Sequence, residues 1–215
     1  MTDISPPAVL PVSLLLSGRR CLVVGGGPVG TDKVRALLAA RAVVHVVSPE
    51  VTDDLATLIA ERTDVTWRQG TFVESDLADV RLVVTATGVR EVDDEIFARA
   101  DERGLWVNSA DDPERCSFYL MATVRRDPVV VAITTAGASP AMASYLRRRL
   151  DGALEPELGD VALLLRRVRR DLQAAGVPTE GLPWSRAITP ALFDQVRHGD
   201  LEAARTQLHE ALRPS

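Results

Sequence analysis

The residues best placed to do chemistry are glycines. In CLVVGGGPVGTDK, Cys21 to Lys33, the residues Gly25, Gly27 and Gly30 hold the spacing G-x-G-x-x-G, directly after an apolar run and at the opening of a helix-like stretch. Without a Cβ, such a turn lets backbone N–H groups and the positive end of a helix approach a pyrophosphate. The stretch Gly25, Gly26, Gly27, Pro28, Val29 and Gly30 is therefore the expected dinucleotide loop. A Walker loop is excluded, because Lys33 follows Asp32 and no Gly-Lys-Ser/Thr occurs. The fingerprint also expects an acid after the second strand to hold the adenosine ribose. Here VVHVVSPE ends in Ser48, Pro49 and Glu50. Either Glu50 or Ser48 with nearby backbone groups serves the ribose, and Glu50 reads equally as an acid that starts the next helix. No arginine follows this strand tip, so a 2′-phosphate would lack a counter-charge, which favours NAD over NADP. TATG, ending in Thr87 and Gly88, offers small residues where a nicotinamide ring could approach, or a plain strand-to-loop transition.

Positioning such a loop requires a parallel sheet, and the sequence alternates accordingly. Strand candidates are CLVVGG, Val43 to Ser48, Val65 to Gly70, Arg81 to Gly88 and Leu105 to Ala110. Pro28 to Ala40, Val51 to Arg62 and Glu91 to Arg103 carry apolar residues at helical spacing between them. This alternation predicts an α/β, Rossmann-like sheet covered on both faces. After residue 111 the pattern changes. Phe118 to Val124 and Val129 to Gly137, joined by Arg125 to Pro128, predict an antiparallel hairpin, and Ser139-Pro140 opens a helix. From Asp151 onward the chain reads as amphipathic helices, with Thr189-Pro190 and Gly199-Asp200 as boundaries and Trp184 and Phe193 as packing anchors. The expected division is a Rossmann domain over 1–114, a hairpin segment over 115–150 and a helical part over 151–215.

Composition removes several classes of function. With 4% aromatic residues and a formal charge of -5, base-stacking surfaces and general nucleic-acid binding are not expected. The N-terminal stretch has prolines and Asp3 where a secretory signal needs basic and continuous apolar regions, and no stretch approaches a membrane span, so a cytoplasmic protein is expected. Cys21 and Cys116 form no CxxC pair, and His45, His198 and His209 form no ligand set, so no resident metal is expected. Tyr145 is followed four residues later by Arg149, which excludes the Tyr-x-x-x-Lys pair of short-chain dehydrogenases.

Three blocks in order, PVSLLLSGRRCLVVGGGPVGTDKVRALL, VNSADDPERCSFYL and VAITTAGASPAMASYLRRRL, resemble the precorrin-2 dehydrogenase family, which includes the dehydrogenase/ferrochelatase portion of sirohaem synthase. The resemblance covers most of the chain to about Gly176. It implies NAD-dependent oxidation of precorrin-2 to sirohydrochlorin, in some members followed by insertion of Fe²⁺, in an intertwined homodimer whose hairpin segment serves dimerisation. The family's N-x-x-D-x-P motif falls on Asn108 to Pro113, which carries the catalytic role onto Asp111. Its hydroxyl residue before Gly-x-Ser-Pro falls on Thr135, with Gly137, Ser139 and Pro140 completing the signature. Asp111 then stands as the base accompanying hydride transfer, with Asp112 as an exposed turn residue. Asn108, Arg115, Thr135, Gly137 and Ser139 are the expected substrate contacts, with Arg125, Arg126 and the Arg147–Arg149 run as further partners for the substrate carboxylates. Departures are Gly30 for a common alanine, Asp32 for a common basic residue, and Ala136 and Ala138 for glycine or hydroxyl residues. A non-catalytic NAD-sensing module is the alternative reading.

Overall fold

The computed structural model describes residues 7–110 and 112–213, in two compact units, 1–120 and 121–215. In the first unit five parallel strands run β1 (Arg20–Val24), β2 (Val43–Ser48), β3 (Val65–Gln69), β4 (Leu82–Thr85) and β5 (Trp106–Ser109), in the sheet order β3-β2-β1-β4-β5. This is the doubly wound order, which reverses direction between β1 and β4 and opens a crevice at the carboxyl ends there. Helices α1 (Pro28–Ala39), α2 (Asp53–Glu61) and α3 (Arg90–Asp101) supply three crossovers. The link from β3 to β4 holds no α-helix, only a single 3₁₀ turn, Glu74–Leu77.

Strand β1 is buried on both faces beyond Arg20, as its unbroken apolar run requires. One face packs Cys21, Val23, Val44, Val46 and Val84 against Val34 and Leu37 of α1 and Leu55 of α2. The other packs Leu22, Val24, Val83 and Val107 against Ile96 and Ala100 of α3. Each such side chain contributes about 2 kcal/mol through removal from water, so the sheet's geometry at the switch point is firmly held. Burial pushes the Cys21 thiol up to about 11.

The second unit opens with the hairpin of β6 (Ala122–Arg126) and β7 (Val129–Ile133), paired Ala122 to Ile133 through Arg126 to Val129. The hairpin differs from expectation in three respects, the first being that β7 ends at Ile133 and leaves 134–137 outside it. Arg125 and Arg126 lie in β6 and not in the turn, and Phe118 and Leu120 belong to the first unit, where they pack on the α1 face of the sheet. Apolar burial there, together with a hydrogen bond from Asn108 Nδ2 to the Phe118 carbonyl at 3.0 Å, takes these residues from the strand. Helix α4 (Pro140–Ala153) follows. Then α5 (Leu158–Ala174), α6 (Trp184–Ala187), α7 (Pro190–Arg197) and α8 (Leu201–Ala211) close around Val161, Leu164, Val168, Leu192, Ala204 and Leu208, with Trp184 and Phe193 packed against them. Thr189 and Asp200 cap α7 and α8 through their side chains. No helix among the described residues is long and apolar enough to cross a membrane.

Candidate active site

The glycines of the β1–α1 loop divide by what surrounds them. Gly25 has φ +116°, and a Cβ there would stand 2.2 Å from the Ala86 carbonyl oxygen. At Gly30 it would stand 2.1 Å from the Gly25 carbonyl oxygen. These two are glycines because strand, turn and helix approach too closely for any side chain. Gly27 is the opposite case. It is exposed, its φ of -73° suits any residue, and a Cβ would meet no protein atom within 4 Å. Its glycine is required by nothing in the chain, and leaves backbone accessible to a ligand. Gly27 is also the N-cap of α1, with no side-chain cap and no acid in the first turn, and Pro28 at the first helical position brings no N–H. The exposed Val29 follows, and the N–H groups at this end are free to face an anion. These three environments match the separate requirements of pyrophosphate binding: a tight turn, an open approach and close helix packing.

Gly26 has a further role that spacing did not reveal. A Cβ would meet the Glu50 carbonyl oxygen at 2.3 Å, and its N–H donates to Ser48 Oγ at 3.0 Å. Ser48, buried, thus braces the glycine loop from the end of β2, and its carbonyl accepts from Trp67 Nε1 at 3.0 Å. Pro49 and Glu50 are exposed at this tip, the Pro49 carbonyl accepting from Gln69 Nε2 at 3.1 Å. Glu50 precedes α2 but is not its cap, since Thr52 holds that position and accepts from Leu55 N–H. Its carboxylate is left at the mouth of the β2–α2 loop. The guanidinium of Arg68 on β3 is held by Asp76 at 3.0 and 2.5 Å.

At the carboxyl end of β4, Thr87 is committed locally. Its hydroxyl donates within the turn that starts α3, to Asp93 Oδ1 at 2.8 Å, and accepts from Val89 N–H at 3.1 Å. Thr85, fully buried two residues earlier, has no hydrogen-bond partner for its hydroxyl among the described residues. On β5, Asn108 is buried; its Nδ2 donates to the Phe118 carbonyl and lies 3.5 Å from Cys116 Sγ, while its Oδ1 has no partner among the described residues. The catalytic expectation, Asp111, lies outside the described residues. Its neighbour Asp112 departs from the exposed turn expected. It is half-buried, caps the 3₁₀ turn Pro113–Arg115 through the Glu114 N–H at 3.0 Å, and pairs with Arg115. Arg115 pairs in addition with Asp94 of α3, so its guanidinium is occupied by two carboxylates of its own unit. Cys116 accepts from the Ser109 N–H at 3.3 Å, and burial is the main cause of its raised pKa.

In the second unit, Thr135, Gly137 and Ser139 form one tight turn. Ala136 and Gly137 have φ of +50° and +81°. Thr135 Oγ1 accepts from Ser139 N–H at 3.1 Å, and Ser139 Oγ caps α4 through the Met142 N–H at 3.1 Å. Of the arginines expected near substrate, Arg126 is bound to Asp151 at 3.0 Å, and Arg149 lies over the Tyr145 ring with its centroid 6.0 Å away. Among the described residues no three His, Cys, Asp or Glu side chains stand together as a metal site.

Comparison with known proteins agrees with this geometry. A family model described as NAD(P)-binding matches residues 12–122, more than half of the 215-residue chain. The chain belongs to this NAD(P)-binding family. It is 34% identical over 208 residues to a siroheme synthase of Nitrosomonas europaea, covering 96% of this chain and 44% of that protein. It is 35% identical over 204 residues to a siroheme synthase of Chromobacterium violaceum, covering 94% and 43%. The chain thus spans less than half the length of these curated relatives. A solved structure titled "SirC, precorrin-2 dehydrogenase" superposes with a TM-score of 0.74 at 23% identity, over 94% of this chain and all of that one, and shares the fold. In NAD(P)-binding terms, the matched segment contains the whole Rossmann unit and its glycine loop.

Proposed function

We propose that this chain is an NAD⁺-dependent dehydrogenase that oxidises precorrin-2 to sirohydrochlorin. The observation that carries the reading is the open backbone at Gly27, between two glycines fixed by packing, at an uncapped helix N-terminus. Its place in a chain similar along nearly its whole length to siroheme synthases supports the choice of substrate. Precorrin-2 loses a hydride and a proton as its conjugation extends, and the hydride would pass to NAD⁺ held in this loop. Gly27 and the first turn of α1 hold the pyrophosphate, and Gly25, Gly26 and Gly30 keep that turn in shape. Glu50 accepts from the adenosine ribose hydroxyls. An acid at this position, with Arg68 already paired to Asp76, favours NAD over NADP.

Asp111, which follows the carboxyl end of β5, takes the proton. Arg115 contributes by tying the 3₁₀ turn to α3 and not by meeting substrate directly, because Asp94 and Asp112 already neutralise it. In the second unit, the Thr135–Ser139 turn, where the N-terminus of α4 carries no acid in its first turn, and Arg147 and Arg148 beyond it are chemically suited to carboxylates of the kind the substrate carries. Met142, Tyr145 and Leu146, exposed on α4, suit a homodimer contact. Fe²⁺ is a further substrate in this reading, since sirohydrochlorin is what a chelatase would receive.

The test is anaerobic incubation of precorrin-2 with NAD⁺ or NADP⁺, followed by absorbance, with sirohydrochlorin and Fe²⁺ in a separate reaction. Faster sirohydrochlorin formation with NAD⁺ is expected. Asp111→Ala retains NAD⁺ affinity and loses turnover by roughly a hundredfold or more. Unchanged turnover in that variant removes Asp111 from the mechanism.

A further inference from the structure

Lys33 is the only lysine of the chain, and the dinucleotide loop does not account for it. It stands one turn beyond Gly30 on α1, on the side of the helix where a Cβ at Gly30 would meet the Gly25 carbonyl and come 4.0 Å from the Ala86 Cβ. The next residue, Val34, belongs to the core face shared by Val84 of β4, Phe118 and Leu120. Lys33 is half-buried, with no ion-pair partner among the described residues. On β5, Asn108 is in register with Val84, so its side chain leaves the sheet on this same α1 face. There Nδ2 is satisfied by Phe118, and Oδ1 is buried with no donor among the described residues. An amide oxygen left so costs roughly 1–3 kcal/mol. Cys116, in contact with the same amide, is acted on by two charges, Asp112 and Lys33.

We propose that Lys33 is a positioning residue, whose ammonium donates to the Asn108 carbonyl oxygen and fixes the end of β5 from which the N-x-x-D segment departs. A four-carbon stem crosses the gap between helix and strand, and one donor satisfies the amide. The contact would hold Asn108 and its hydrogen bond to Phe118 in one arrangement. Its consequence for proton transfer rests on the function proposed above; the contact itself does not.

A double-mutant cycle on the full chain tests it, with thermal unfolding of Lys33→Met, Asn108→Asp and the pair. With Lys33 present, a carboxylate at position 108 gains a cation; once Lys33→Met removes the ammonium, that carboxylate is buried alone. The double variant is expected to lose roughly 3 °C or more beyond the sum of the single shifts. If Asn108→Asp does not fold, Asn108→Ser replaces it, and the loss of the shared contact is expected to make the pair less damaging than the sum. In parallel, iodoacetamide labelling of Cys116 near pH 8, with Cys21 fully buried and silent, should slow about two- to threefold in Lys33→Met and recover in Lys33→Arg. In turnover, Lys33→Met should lower kcat with the KM for NAD⁺ kept. Additive shifts together with unchanged labelling overturn the contact. A chain that leaves precorrin-2 unoxidised counts against the functional reading alone, because the cycle and the labelling need no turnover.

Discussion

Gly27→Asp separates cofactor binding from folding at a single residue. Aspartate is a strong N-cap, and at this position a side chain meets nothing in the protein, so the substitution should leave the melting temperature unchanged or slightly raised. The same carboxylate occupies the approach to the helix terminus and repels a pyrophosphate, so NAD⁺ affinity should fall by a hundredfold or more, roughly 3 kcal/mol. Gly25→Ala should fail in the other direction: its Cβ would lie 2.2 Å from a backbone oxygen at φ +116°, costing about 3 kcal/mol or more of stability. Calorimetric titration and thermal unfolding of the two variants check this, and equal losses in both would contradict the division of roles. The spacing of Gly25, Gly27 and Gly30 was legible in the sequence because the chemistry fixes it. The bracing of Gly26 by Ser48 was not, since it depends on how closely the β2–α2 loop passes the β1–α1 loop. The neutralisation of Arg115 was equally invisible, because Asp94 comes from a helix whose phase relative to the 3₁₀ turn only the fold sets.

Strand β2 carries a pH response of its own. His45 faces β3, its Nδ1 2.9 Å from Thr66 Oγ1, and burial holds its pKa below the ordinary 6.5, with Arg20 and Arg68 acting in the same direction and Asp76 against. Since the folded chain binds a proton here less readily than the unfolded one, the stability from this site is complete above about pH 6.5 and is lost as pH falls towards the depressed folded value. Thermal unfolding from pH 7.5 to 5 should show a decline that His45→Asn reduces; an identical slope in the variant would remove His45 as its source. At the level of elements the sequence was most readable where periodicity was long. All five parallel strands and the three helices between them lie within a few residues of their expected spans, because alternating apolar runs and helical spacing dictate them. The hairpin was displaced because Phe118 and Leu120, apolar enough for a strand, are used to cover the α1 face of the sheet.

For the molecule as a whole, two units imply that a change in one core can leave the other's ligand site intact, and Gly159 offers the means to test that. It opens α5, and a Cβ there would stand 2.3 Å from the Asp127 carbonyl oxygen and 2.6 Å from that of Arg126, backbone atoms of the turn and of the end of β6. Neither can withdraw without breaking the β6–β7 register, so Gly159→Ala should cost the second unit about 3 kcal/mol. The Rossmann sheet, built within residues 1–120, shares none of those atoms. Hydrogen exchange should therefore accelerate across β6, β7 and α5 while β1, β2 and β4 keep their protection, and NAD⁺ should bind as before. Saturating NAD⁺ at a hundred times its Kd adds about 2.7 kcal/mol to the unit that binds it, so protection in β1 and β4 should rise on its addition in both proteins. If Gly159→Ala instead weakens NAD⁺ binding in step with the loss of hairpin protection, cofactor capture depends on the second unit and the glycine loop alone does not explain it.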